Sequence, residues 1–222
     1  IVGVPVKSIK AVIPDLDMPV LGIDSDMYVD SSVGLKFVNL SPLKKTIGRK
    51  LQEIKLTGPM RLVLNMILPL GELAEKQENK VNGQITLHDN YLQPYGFDFG
   101  VENLQGELSF TEDDLLADTL RGELFGNPVS MDIGTLVAKD NANDTITRVT
   151  LAGKVEVNKL EQAFSIKLNP YVAGDFKYQA LLELHSVAKE SVFKLSSNLQ
   201  GLTIDLPQPF SKTTTGASKF DL

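Results

Sequence analysis

Cysteine is absent from the 222 residues, which removes disulfides, thiolate metal sites and thiol nucleophiles together. Histidine is scarce: His88 and His185 are the whole supply, so a histidine-rich metal centre has no ligands and no His-x-x-x-His pair exists. Basic excess is missing too. A net charge of −6 and a pI near 5.0 exclude nucleic acid, whose phosphates demand a strongly basic surface. The most apolar run, Met60 to Leu70, is broken by Arg61, Asn65 and Pro69 and falls short of the ~20 apolar residues that cross a bilayer as a helix. No initiator Met and no basic stretch precede the apolar start Ile1 to Val6, so no signal peptide is visible and both ends read as boundaries inside a longer chain. A Gly-rich phosphate loop, a Gly-x-Ser-x-Gly elbow and a His-Glu-x-x-His helix are all missing. Each lone histidine reads as a surface or satisfied side chain. The pairs Asp15 with Asp17, Asp24 with Asp26 and Asp113 with Asp114 read as turn chemistry. The expectation is a protein with no catalytic residue, no metal and no cofactor.

What is present is period-two alternation, the mark of strands whose successive side chains point to opposite faces. Apolar residues make up 42% and charged residues 23%, a balance that permits a folded core and argues against disorder. The clearest strand carries Met60, Leu62, Leu64, Met66 and Leu68 on one face, against Arg61, Val63, Asn65 and Ile67 on the other. Further strands are predicted at Lys10 to Ile13, Met27 to Leu40, Val81 to His88, Val101 to Phe110, Leu115 to Leu124, Val129 to Val137, Thr145 to Val157, Phe176 to Leu184 and Ser191 to Leu206. Two helices interrupt them. Ser41-Pro42 is a cap followed by a first-turn proline, and Leu43, Ile47, Leu51 and Ile54 make a helical stripe. Asn158 and Glu161 have the spacing of a capping box for a short helix over 158–164, with Leu160, Ala163 and Phe164 on its apolar side.

A repeat runs through the strands: apolar, any, Gly, any, apolar, at Gly83, Gly106, Gly122 and Gly153, with an imperfect copy at Gly201. Gly122 follows Gly106 by 16 residues, Gly153 follows Gly122 by 31 and Gly201 follows Gly153 by 48, close to one, two and three times a strand plus turn of roughly sixteen, whereas Gly106 follows Gly83 by 23, which does not fit and points to a longer loop at Pro94, Gly96 and Gly100. Glycine within a strand marks a bulge, a bend or a close approach. The glycines therefore predict either a curved sheet or relief of packing beneath other elements. The fold class expected is mainly β: one segment over 1–222, a long, curved antiparallel sheet with two short helices packed on it. Lys44, Lys45, Arg49 and Lys50 gather in the first helix as a candidate contact for phosphate headgroups or an anionic membrane, or as its solvated face.

The runs Asn103-Leu-Gln-Gly-Glu-Leu-Ser-Phe110 and Leu115-Leu-Ala-Asp-Thr-Leu-Arg-Gly-Glu-Leu-Phe-Gly-Asn-Pro-Val129 resemble the repeated core of the YhdP branch of the AsmA-like, TamB-related bacterial envelope proteins. The close, Ser197-Asn-Leu-Gln-Gly-Leu-Thr-Ile-Asp-Leu-Pro-Gln-Pro-Phe-Ser-Lys212, is similar to that family's "leucine, any, glycine … leucine-proline, any, proline … lysine" ending. The resemblance implies a slice, from the C-terminal side, of a periplasmic body whose strands curl into a trough. That body hangs from the inner membrane by a segment outside this chain and moves phospholipid between the inner and outer membranes, as the repeating-β-groove bridge proteins do. No catalytic residues come with it.

On this reading Met60, Leu62, Leu64, Met66, Leu68, Ile85, Leu108, Phe110 and Leu124 line a groove for the acyl chains of phospholipid or another lipid. The remainder of the full-length protein is a partner, and cut sheet edges invite self-association. The alternative is a structural or interaction module of the envelope whose apolar face is closed by its own helices or by a partner.

Overall fold

The computed structural model describes residues 6–40, 54–138, 141–185 and 191–222. Among these residues thirteen strands form one antiparallel sheet: β1 Val6–Val12, β2 Val20–Asp30, β3 Ile54–Thr57, β4 Pro59–Pro69, β5 Lys80–Pro94, β6 Val101–Thr111, β7 Leu115–Leu124, β8 Asn127–Ala138, β9 Asn141–Glu156, β10 Val172–His185, β11 Ser191–Ser197, β12 Leu202–Ile204 and β13 Phe220–Asp221. The order is β1-β2-β4-β5-β6-β7-β8-β9-β10-β11-β13, with β3 on β5 and β12 on β10. It is a meander. Its ends, β1 and β13, do not pair, so the sheet is open.

Among the described residues two α-helices accompany it, α1 at Ser31–Leu40 and α2 at Val157–Phe164. The strand expected from Met27 to Leu40 therefore ends at Asp30. Val33, Leu35 and Phe37 alternate like a strand, but the Asp30 carboxylate accepts the Ser32 N–H at 2.9 Å and the Ser32 hydroxyl, which caps a helix. Ser31 and Gly34 are buried and Val38 is half-buried, the spacing of one helical face. Of the helix expected over 41–54, residues 41–53 lie outside the described residues, as do Lys44, Lys45, Arg49 and Lys50. Ile54 opens β3 instead.

The short helix lies where expected, with different capping. Glu156 stands at its N-cap without a side-chain bond. The Glu161 carboxylate reaches forward, accepting the Leu168 and Asn169 N–H groups at 2.7 Å each, and these donors hold its pKa below the usual carboxylate range. Because β9 runs directly into α2, no turn precedes the helix for a capping box to close. The strand expected from Ser191 to Leu206 is split at Asn198–Gly201 into β11 and β12.

Each of three consecutive strands carries a bulge. The ladder slips between Leu87 and Asn90 in β5, between Glu102 and Gln105 in β6, and between Ala117 and Leu120 in β7. At these points Asp89, Asn103 and Thr119 have φ of 52°, 51° and 60°. A left-handed β-branched residue is strained. Thr119 is held by Asp132 on the next strand, whose carboxylate accepts its N–H at 2.9 Å. Bulges bend the strands that carry them and raise their local twist.

The polar face is cross-linked by charge. Arg61 donates to both Asp26 oxygens at 2.9 Å, with Lys7 3.2 Å away; Asn65 donates to Asp24; Arg148 pairs with Glu183. Asp24 and Asp26 thus sit in β2, outside any turn, whereas Asp15 accepts the Asp17 N–H as turn chemistry requires. The Arg61 hydrogen bond lowers the Asp26 pKa to about 2 from 3.8. A depressed carboxylate contributes stability that is full above its unfolded pKa and is lost as pH falls through its folded one. Asp26→Asn should therefore lower the melting temperature at neutral pH, and its difference from the parent should fade between pH 4 and 2. A difference that persists unchanged at pH 2 would count against the ion pair.

Candidate functional site

Cross-strand register defines the faces, because directly paired residues point the same way. Met60 pairs with Leu87, Leu62 with Ile85, Leu64 with Gly83 and Met66 with Val81; Ile85 then pairs with Leu108 and Gly83 with Phe110. Beyond the bulge, Leu120 pairs with Met131 and Leu124 with Asn127. All nine residues predicted to line a groove therefore share one face. It continues through Val149, Leu151, Ala180, Leu182, Leu184, Phe193 and Leu195. From β4 to β11 no Asp, Glu, Lys or Arg points to this side among the described residues, and every interior strand is bonded on both flanks.

Burial along this face is uneven. Over β4 to β7 it is sealed: Leu62, Leu64 and Met66 are 6%, 3% and 2% exposed, and Phe110 and Leu120 are buried with them. Leu68, Ile85, Leu108 and Leu124 are half-buried against that core. Over β9 to β11 the cover thins. Val149 and Leu151 still pack half-buried against the same core, and Val155 and Tyr178 are buried; beyond that core Ala180, Leu182, Leu184 and Leu195 are half-buried and Phe193 is 55% exposed. The residues beyond that core carry no glycine motif of their own, although Thr145 to Val157 and Phe176 to Leu184 show the same alternation as β4.

Four repeat glycines, Gly83, Gly106, Gly122 and Gly153, lie within the ladder of β5, β6, β7 and β9, and a large side chain from a neighbouring strand rests on each. Phe110 lies over Gly83, Leu120 over Gly106, Val101 over Gly122 and Tyr178 over Gly153. Of the four only Gly106 has positive φ, so what these glycines supply is room. Gly201 stands outside any strand, its Cα against the Asp175 carbonyl. The Tyr178 phenol oxygen is buried without a hydrogen-bond partner among the described residues, and burial pushes its pKa up to about 12.

At one end of the strands Phe99 contacts Phe97, Phe125 and Phe164 at ring separations of 5.1, 4.9 and 5.3 Å, joining the β5–β6 loop, the β7–β8 turn and α2. In that turn Phe125 and Gly126 both have positive φ, 55° and 72°, the two-residue hairpin geometry that matches strand twist. His88 is exposed. His185 has a partner after all: its Nδ1 lies 2.7 Å from Asp144. No cluster of metal-ligating side chains forms among the described residues, and none of their helices is long and apolar enough to cross a membrane.

The YhdP protein family matches over residues 1–222. The chain is 31% identical over 214 residues to the intermembrane phospholipid transporter YhdP of Escherichia coli (strain K12), an alignment covering 95% of this chain and 16% of that protein. The chain thus spans about a sixth of the relative's length. No solved structure matches it.

Proposed function

The chain belongs to the YhdP family, and from that premise we propose that its apolar sheet face is part of a route along which phospholipid acyl chains pass between two membranes. One observation carries the reading: among the described residues the face is predominantly apolar and free of charged side chains from β4 to β11, on strands whose amides are bonded to one another. An alkyl chain lying on it meets neither an ion nor an unpaired amide. Its burial is worth ~0.8 kcal/mol per methylene, so about ten methylenes offset much of the ~4–15 kcal/mol lost on immobilisation. Such contact selects for alkyl chain in general and against any one length.

Within this segment the route lies over β9 to β11, where Leu182, Leu184, Phe193 and Leu195 are accessible. Over β4 to β7 the same face is filled by its own side chains. The burial of Leu64 and Met66 favours a structural role there, the second reading for that half. The segment belongs to a periplasmic body held at the inner membrane by another part of the full-length protein, with Lys44, Lys45, Arg49 and Lys50 as candidates for headgroup contact. Its edges β1 and β13 pair with the remainder of that protein, and a second copy can substitute there.

Native mass spectrometry of protein purified in mild detergent tests the route. The parent should retain phospholipid mass, and Leu182→Asp should lose it with the melting temperature little changed, since a carboxylate at a half-exposed site keeps its water while opposing alkyl contact. A parent without lipid mass, or a variant that binds as the parent does, would overturn the proposal.

A further inference from the structure

The pairing of Gly153 with Tyr178 has a geometry that the alternation alone does not require. The two are directly opposite across β9 and β10. A Cβ on Gly153 would lie 2.8 Å from the phenol oxygen, 3.0 Å from Cζ and 3.2 Å from Cε1 of Tyr178, so the ring lies down along the backbone of β9 in the space a side chain would fill. The arrangement is repeated at Gly83, where a Cβ would come within 2.7 Å of three atoms of the Phe110 ring. The two sites differ in setting. Phe110 belongs to the sealed half of the face, whereas Tyr178, itself buried, adjoins the half-buried Ala180 and Leu182, which lie outside that core.

From this we infer that Gly153 sets the clearance of the acyl-chain route over β9 and β10 by letting the Tyr178 ring lie flat. With any larger residue at 153, the ring can move only away from the sheet, because β9 and β10 are bonded from Ile146 to Glu156 and close off the other direction. The ring then stands in the path. Tyr178 is a positioning residue in this account and Gly153 the residue that determines its pose. The same packing explains why a buried phenol oxygen is tolerated without a partner: the ring is laid down by shape, and its hydroxyl follows. This inference rests on the route proposed above.

The test places a benzophenone amino acid at Leu182 in the intact protein that contains this chain, and measures photo-adducts with phospholipid by mass spectrometry. The glycine variants are made in that background. With glycine at 153, an adduct is expected. Gly153→Val should abolish it, and adding Tyr178→Ala should restore it, because valine then occupies the volume the ring gave up. If no adduct forms with glycine at 153, the route itself fails and the inference with it. If the adduct forms but survives Gly153→Val, the route stands and the inference is overturned. If Tyr178→Ala does not restore it, the ring is not the obstruction and the inference is likewise overturned. Should Gly153→Val lose strand structure by circular dichroism, Gly153→Ala serves in its place, since its added methyl meets only the mobile end of Tyr178. Gly134→Ala, on the polar face with nothing within 4 Å, should leave the adduct unchanged throughout.

Discussion

Leu64→Asp is expected to unfold the sheet. Leu64 is 3% exposed, with Gly83 and Ser25 beside it and Leu62 and Met66 on the same face of its strand. A carboxylate placed there finds no cation among the described residues, because Arg61 and Lys7 lie on the other face, both engaged by Asp26. Burying an unpaired charge and removing a leucine from a packed core act together. The loss should exceed about 4 kcal/mol, a large share of the ~5–15 kcal/mol that holds a domain together. Thermal melts and circular dichroism provide the measurement. A well-folded Leu64→Asp protein with a melting temperature near the parent's would show that water reaches β4 and that the face is open there as well as over β9 to β11. Arg61→Asp is unsuitable as a control, since it sets two carboxylates against each other at Asp26. Gln84→Asp, exposed on the polar face, should be nearly neutral.

The alternation made the strands legible. Leu115 to Leu124 was predicted to the residue, and β4, β6 and β8 to within two, because one face of each meets apolar neighbours and the other meets water. Where two periodicities coexist, alternation misleads. Val33, Leu35 and Phe37 repeat every second residue, yet a cap at Asp30 and small residues at Ser31 and Gly34 let that segment coil against Met60.

The bulges were illegible for a different reason. Asp89, Asn103 and Thr119 resemble surface positions in a strand, and their positive φ goes with register shifts against the adjoining strands, which alternation along one strand does not report. The division of the apolar face into sealed and accessible halves was hidden in the same way. Leu64 and Leu182 sit in equally regular alternation, and only the neighbours that cover one and not the other set them apart.

The least legible residue is Asn90, fully buried where β5 changes partners. Before the bulge β5 pairs with β4, and after it with β3, so the break between those two strands passes beside Asn90 at Gly58. A Cβ on Gly58 would come 3.0 Å from the Asn90 Cα. The Asn90 amide NH2 donates to the Ser31 hydroxyl oxygen and, at 3.2 Å, to the Thr57 carbonyl, while its carbonyl oxygen accepts the His88 N–H at 2.8 Å. Ser31 in turn donates its hydroxyl and its N–H to the Gly58 carbonyl, at 2.8 and 2.9 Å. One amide thus ties the start of α1, the β3–β4 break and the β5 bulge.

Asn90→Ala leaves these groups buried and unpaired, and should destabilise by about 3 kcal/mol, a few unsatisfied polar groups each costing ~1–3 kcal/mol with partial relaxation. Asn90→Asp is the sharper test. The introduced carboxyl keeps the oxygen that His88 needs but sets its second oxygen against the Thr57 carbonyl, so the charged form is disfavoured and its folded pKa must rise. Below the unfolded value of about 3.9 the group is protonated in both states and the penalty is smallest; above it the penalty grows with pH until the folded pKa is passed. Asn90→Asp should therefore melt closer to the parent at pH 4 than at pH 7, whereas the Asn90→Ala deficit should be nearly the same at both. Equal deficits for Asn90→Asp at the two pH values would mean that water reaches the site and that the amide is not the sealed tie between α1 and the sheet.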